Sequence, residues 1–229
     1  MSTPSPLVRR SFLSRLGAGV AALGAAAGLT APAAGQQPGA FQPARHPQDD
    51  WLDQVPGKHR FFFDATSPTG AGDAITFASN FYVASKTGYG LEPHENAVVI
   101  CLRHWATPFA FGDTIWARYG AILADRIKFT DPKTQAAPVI NVYRAAGYPM
   151  LSSRGTTLDA MVTRGTHFAV CDLATRAFAG MIAARTGGTA DAVYGEMQQA
   201  VIPNAHFMAA GIVAVNRAQE RGYALQYIG

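Results

Sequence analysis

Residues 96–103 read Asn-Ala-Val-Val-Ile-Cys-Leu-Arg, an almost unbroken apolar run ending on a cation. A strand with no polar alternation has both faces covered, the pattern of a parallel sheet packed between helix layers. On its N-terminal side, His59–Thr66 (HRFFFDAT) predicts an aromatic-rich first strand. Residues 67–73 predict a turn closing on a helix cap, and residues 74–87 carry Ile75, Phe77, Ala78, Phe81 and Tyr82 at helical spacing. On the C-terminal side, Thr107-Pro108 predicts a helix opening with proline in its first turn. A short helix is expected over 157–164, a third strand over 166–171 (THFAVC), and helices over 173–186 and 190–201. A fourth strand at 205–208, a helix at 212–221 closed by Gly222, and a last strand at 223–228 complete the pattern. Strands alternating with helices predict a three-layer α/β/α sandwich over residues 59–229, with a mostly parallel sheet of about five strands.

Residues 120–155 interrupt this order. Asp131-Pro132, Pro138, Gly147-Tyr148-Pro149 and Ser152–Gly155 break them into a long excursion. An insertion of that length in a compact domain reads as a lid, a binding segment or an oligomer contact.

The chain has 229 residues, 48% of them hydrophobic and 15% charged, and two cysteines. This is enough for one domain with a sizeable core, and too few cysteines for a disulfide scaffold or a four-cysteine metal site. The net charge of +4 is mildly basic. Its source is the N-terminus. Residues 7–34 (LVRRSFLSRLGAGVAALGAAAGLTAPAA) hold an Arg9-Arg10 pair, then Phe12-Leu13, an Ala/Gly/Leu run and Ala31-Pro32-Ala33. This resembles a twin-arginine (Tat) signal peptide over residues 1–33, cleaved near Ala33, with the export machinery as partner and the periplasm as destination. The alternative, a membrane anchor, suits poorly a stretch dominated by Ala and Gly with Thr30 and Pro32 inside it. No later stretch predicts a membrane span. Cleavage leaves 16 basic against 15 acidic residues, a net charge of +1, which removes the electrostatic case for nucleic acid. Residues 34–58, rich in Gln, Pro and Gly, read as a flexible leader.

In a parallel α/β sheet, ligands bind beyond the carboxyl ends of strands. The residues there are Asp64-Ala65-Thr66, Arg103-His104-Trp105 and Cys171-Asp172. Cys171 ends a strand and precedes a helix, whose positive N-terminus stabilises a thiolate and sharpens the nucleophile. A buried, inert cysteine is the competing reading. Cys101 lies mid-strand and reads as core, and a Cys101–Cys171 disulfide requires neighbouring strands and matched depth. His104 suits acid–base work or a loop hydrogen bond, and Arg103 either holds an anion or is solvated. His206 reads as structural. The six histidines include no HxxxH, HxH or HExxH spacing, so no metal is expected. Gly70-x-Gly72 lacks the rest of a dinucleotide fingerprint or P-loop, G-x-S-x-G is absent, and no cofactor motif is present.

Taken with Gly72-Asp73-Ala74, the run VVICLRHWATPFAF (residues 98–111), GTHFAVCDLAT and the tail IPNAHFMAAGIVAVNRAQERGYALQYIG, the chain resembles the DsrE/DsrF-like family. The resemblance covers residues 59–229 apart from much of 120–155. It implies a three-layer α/β/α fold and a homo-oligomer. In sulfur-relay members, the cysteine at the position of Cys171 carries a persulfide and passes sulfane sulfur between a donor and an acceptor protein. The expected function is therefore a periplasmic sulfur carrier or sulfurtransferase using Cys171, with Arg103 and His104 lining the same pocket. The alternative is a non-enzymatic module in which RHWATPFAF and the 120–155 excursion enclose a small ligand or partner.

Overall fold

A computed structural model describes residues 42–229; the twin-arginine segment, residues 1–33, and the first part of the leader lie outside the described residues. The strands are β1 (His59–Ala65), β2 (Asn96–Leu102), β3 (His167–Cys171), β4 (Ala205–Met208) and β5 (Ala224–Ile228). They form one sheet in the order β4-β3-β2-β1-β5, with every pairing parallel. All seven residues of β2 are buried, as its unbroken apolar sequence requires for the middle of a covered sheet.

Helices flank both faces, giving the three-layer sandwich. One face, bearing Phe63, Val98, Ile100, Leu102, Phe168 and Val170, packs on α2 (Pro68–Tyr89), α3 (Asp113–Ile127), α5 (Asp172–Thr186) and α6 (Ala190–Gln199). The short helix α4 (Leu158–Thr163) adds Leu158 and Met161 to the same core. The opposite face, bearing Phe62, Val99, Cys101, Ala169 and Met208, packs on α7 (Gly211–Gln219) and on α1 (Trp51–Gln54). Each large apolar side chain so buried contributes about 1.5–3 kcal/mol.

Three local expectations are corrected. First, α2 starts at Pro68 rather than after Asp73. Ser67 caps it, its Oγ accepting the Gly70 N–H at 2.9 Å, and Pro68 supplies the fixed φ of the first turn. Gly70 is small because a Cβ there would fall 2.8 Å from the Ile228 carbonyl oxygen at the end of β5.

Second, Pro108 does not open a regular helix. It sits inside a 3-10 segment, His104–Ala110, and α3 begins only at Asp113. The Asn141 side-chain amide donates to the carbonyls of both Phe109 and Phe111 at 2.8 Å, drawing them out of a helical ladder.

Third, the leader is not free over its second half. A 3-10 turn at Pro47–Asp49 runs into α1, and Leu52 and Val55 are fully buried on the α7 face. Partners from distant sequence hold it: Tyr223 Oη donates to the Leu52 carbonyl at 2.7 Å, and Arg221 Nε donates to Asp53 at 3.0 Å.

The 120–155 excursion divides in two. Its first residues complete α3, and the remainder is an irregular loop fastened to the body of the domain. Tyr143 Oη donates to the Pro68 carbonyl at 2.8 Å, Ser152 Oγ to the Thr69 carbonyl at 2.7 Å, and Thr76 Oγ1 to the Ser152 carbonyl at 2.8 Å. Its own side chains Val142, Tyr143, Tyr148 and Leu151 are buried in the main core. A loop pinned to the first turns of α2 in this way braces them.

Candidate functional site

The chain order of the strands decides where a site can form. The crossovers leaving β1, β2 and β3 place their helices on one face, whereas the crossover leaving β4 places α7 on the other. Neighbouring strands whose carboxyl-terminal connections diverge to opposite faces leave a crevice between them. Here those neighbours are β3 and β4, and their last register pair is Cys171 with Met208. Cys171 therefore stands at the switch point. A backbone bond from Leu173 N–H to the Ala209 carbonyl, 3.3 Å, ties the two diverging loops together.

Cys171 is also the N-cap of α5. The Ala174 N–H donates to its Sγ at 3.4 Å, and its carbonyl accepts the Thr175 hydroxyl at 2.9 Å. The sulfur thus occupies the cap position of a 15-residue helix, with one first-turn N–H directed at it. The residue is 7% exposed, so the sulfur lies just beneath the surface.

Arg103 lies at the same level on the neighbouring strand, one residue beyond the Leu102–Val170 pair as Cys171 is. Its guanidinium grips the buried Asp64 with two bonds, Nε to Oδ1 at 2.6 Å and Nη2 to Oδ2 at 2.8 Å. That partner raises the pKa of Arg103 above its ordinary value, against the opposing effect of burial. Its stem runs under the first residue of α7. A Cβ on Gly211 would come within 2.4 Å of the Arg103 Cβ, so only glycine lets α7 start there. Thr66 and Tyr227 complete this corner through a hydroxyl–hydroxyl contact of 3.2 Å.

His104 turns away from it. Its backbone is left-handed, φ 56°, and its ring lies 4.3 Å from that of Trp105 over a groove between α3 and α5. The structure thus brings Arg103 and Cys171 to one edge of the sheet and sends His104 to the other face. Ala174, whose N–H meets the Cys171 sulfur, lines the start of that groove.

Cys101 is fully buried mid-strand, two residues short of Arg103 on the same sheet face. Its register partner is Ala169, so Cys171 stands two residues further along β3, and both thiols are free. Burial pushes the Cys101 thiol well above its ordinary pKa, and the nearby Asp64 carboxylate adds to this.

Two groups escaped the sequence reading as a pair. His167 Nδ1 and His206 Nε2 are 2.9 Å apart on β3 and β4, and the His206 ring stacks on Trp51 at 4.0 Å with 4° between planes. Burial lowers both, His206 to about 4, with His167 adding to the effect there. Strand pairing creates this contact across 39 residues of chain, and no local spacing announces it. Among the described residues, no group of three or more His, Cys, Asp or Glu is gathered to hold a metal ion, and no helix is long and apolar enough to cross a membrane. No family model, no curated protein and no solved structure matches the chain.

Proposed function

We propose that the chain is a periplasmic sulfur carrier, exported by the twin-arginine route, that holds sulfane sulfur as a persulfide on Cys171. The observation that carries this reading is the seat of the Cys171 sulfur, capping α5 at the topological switch point with the Ala174 N–H directed at it.

The transfer conserves atoms and electrons. The Cys171 thiolate attacks the outer sulfur of a donor persulfide; an S–S bond forms to Cys171, the donor's S–S bond breaks, and the donor leaves as a thiolate. An acceptor thiolate then attacks the outer sulfur and regenerates the Cys171 thiolate. No net oxidation occurs: the negative charge passes from Cys171 to the donor in the first step and from the acceptor back to Cys171 in the second. Leu173 and Ile212, large apolar side chains exposed at the starts of α5 and α7, flank the crevice and suit docking of a donor or acceptor protein. The resemblance to the DsrE/DsrF-like family supports the same reading and implies a homo-oligomer.

The experiment is sulfur loading of the purified protein with glutathione persulfide, followed by intact mass measurement. Wild type is expected to gain one sulfur atom, reversed by a thiol acceptor, and Cys171→Ser to gain none. Equal gain by Cys171→Ser, or no gain by wild type, overturns the assignment.

A further inference from the structure

We infer that the groove between α3 and α5 binds a small organic anion with a flat aromatic body. The groove encloses about 410 Å3, within the range of small-molecule sites. Its walls are apolar: the Trp105 and Phe178 rings meet edge to face at 6.4 Å, Met181 lies on α5 one turn further on, and Ala174 and Ala177 leave the floor low.

Its rim is cationic. The Arg126 guanidinium sits 4.7 Å from the Trp105 ring centroid, and among the described residues no carboxylate lies within ion-pair distance of it. Arg185, across the groove, bonds Asp125 at 2.9 Å, but that carboxylate is shared with Lys128 at 3.0 Å. Asp125 is thus divided between two cations while Arg126 has no carboxylate partner, which leaves a positive surplus over an aromatic wall. The left-handed backbone of His104 adds a further imidazole to the same mouth.

An aromatic carboxylate or sulfonate matches both parts. Its ring lies against the wall that Trp105 and Phe178 form together, and its anionic group reaches the Arg126 fork, a donor arrangement suited to bidentate oxyanions. A neutral aromatic would gain the wall and leave the surplus charge unmet, whereas a bare inorganic anion would leave the wall wet. The site adjoins the Cys171 crevice at Ala174 but does not depend on the proposed sulfur chemistry.

The test is a fluorescence titration of the full-length protein with 8-anilinonaphthalene-1-sulfonate and, separately, with N-phenyl-1-naphthylamine, the same rings without the sulfonate. The sulfonate is expected to bind saturably at one site. Arg126→Gln is expected to weaken it about tenfold, the loss of one charge-assisted contact, while changing the neutral probe less than about twofold. Ala177→Trp, which fills the floor, is expected to abolish binding of both. Arg118→Gln, an exposed arginine paired to Glu196 elsewhere, is expected to leave both unchanged, and near-ultraviolet circular dichroism verifies that each variant is folded. Equal affinity of the two probes for wild type, or an Arg126→Gln protein that binds the sulfonate as wild type does, overturns the inference.

Discussion

Arg103 and Asp64, 39 residues apart in sequence, close a two-pronged ion pair at the carboxyl edge of the sheet, with the Asp64 side chain 3% exposed. The pair spans β1 and β2 and underlies the first residue of α7. Removing one partner leaves the other charge buried without compensation, whereas removing both with apolar substitutes does not. Arg103→Met is therefore expected to cost about 3 kcal/mol of stability, and the double variant Arg103→Met/Asp64→Leu to recover most of it. Urea unfolding of the four proteins of this cycle measures both; strict additivity of the two losses would show that the contact is not coupled.

The two cysteines differ in surroundings and should differ in reactivity. Cys101 is sealed in the sheet and its thiol is held well above the ordinary range by burial and by Asp64. Cys171 lies at a helix N-terminus near the surface. Iodoacetamide on the native protein is expected to label Cys171 alone, with Cys101 labelled only after denaturation. Peptide mass mapping reads the result, and labelling of Cys101 first would reverse the assignment.

The histidine pair predicts an acid limit on stability. His206 is held down to about 4 in the folded protein, below its ordinary value near 6.5. A histidine depressed by folding is neutral when folded and charges when unfolded. Its contribution is present above about pH 6.5 and is lost as pH falls toward 4. His167, also lowered, acts in the same direction. Wild type is thus expected to lose Tm between pH 7 and about pH 4.5 more steeply than His206→Phe, which keeps a ring on Trp51 and cannot protonate. Parallel slopes for the two proteins in calorimetry would remove the pair from the explanation.

The packed half of the leader makes a fourth expectation. Leu52 is fully buried, and α1 covers part of the thinner helix layer beside α7. Leu52→Ala is expected to lower stability by about 2–3 kcal/mol, and a chain starting at Lys58 to lose more. A chain starting at Pro43, which keeps α1, is the reference for both. Thermal unfolding of the three separates a docked segment from a tether, for which no loss would follow.

Much of the fold was legible because its signals are local. The apolar runs of β1, β2 and β3 each specify a covered strand, and Gly187 and Gly222, both left-handed, mark the stops after α5 and α7 by chemistry that acts within a few residues. The errors fell where distant partners override local preference. Asn141 holds the 108–111 backbone out of a helix, and Tyr223 with Arg221 docks a leader whose composition alone reads as a tether.

For the site, the sequence by itself determined that Cys171 ends a strand and starts a helix, and that Arg103 and His104 follow the central strand, since hydropathy and capping run along the chain. Only the tertiary structure decided that β3 and β4 diverge at Cys171, that Arg103 is engaged by Asp64, and that His104 turns to a groove on the opposite face with Arg126. Strand order and side-chain direction arise from packing between segments far apart in sequence. A left-handed φ at a non-glycine residue such as His104 is held by surrounding contacts and leaves no mark in local composition.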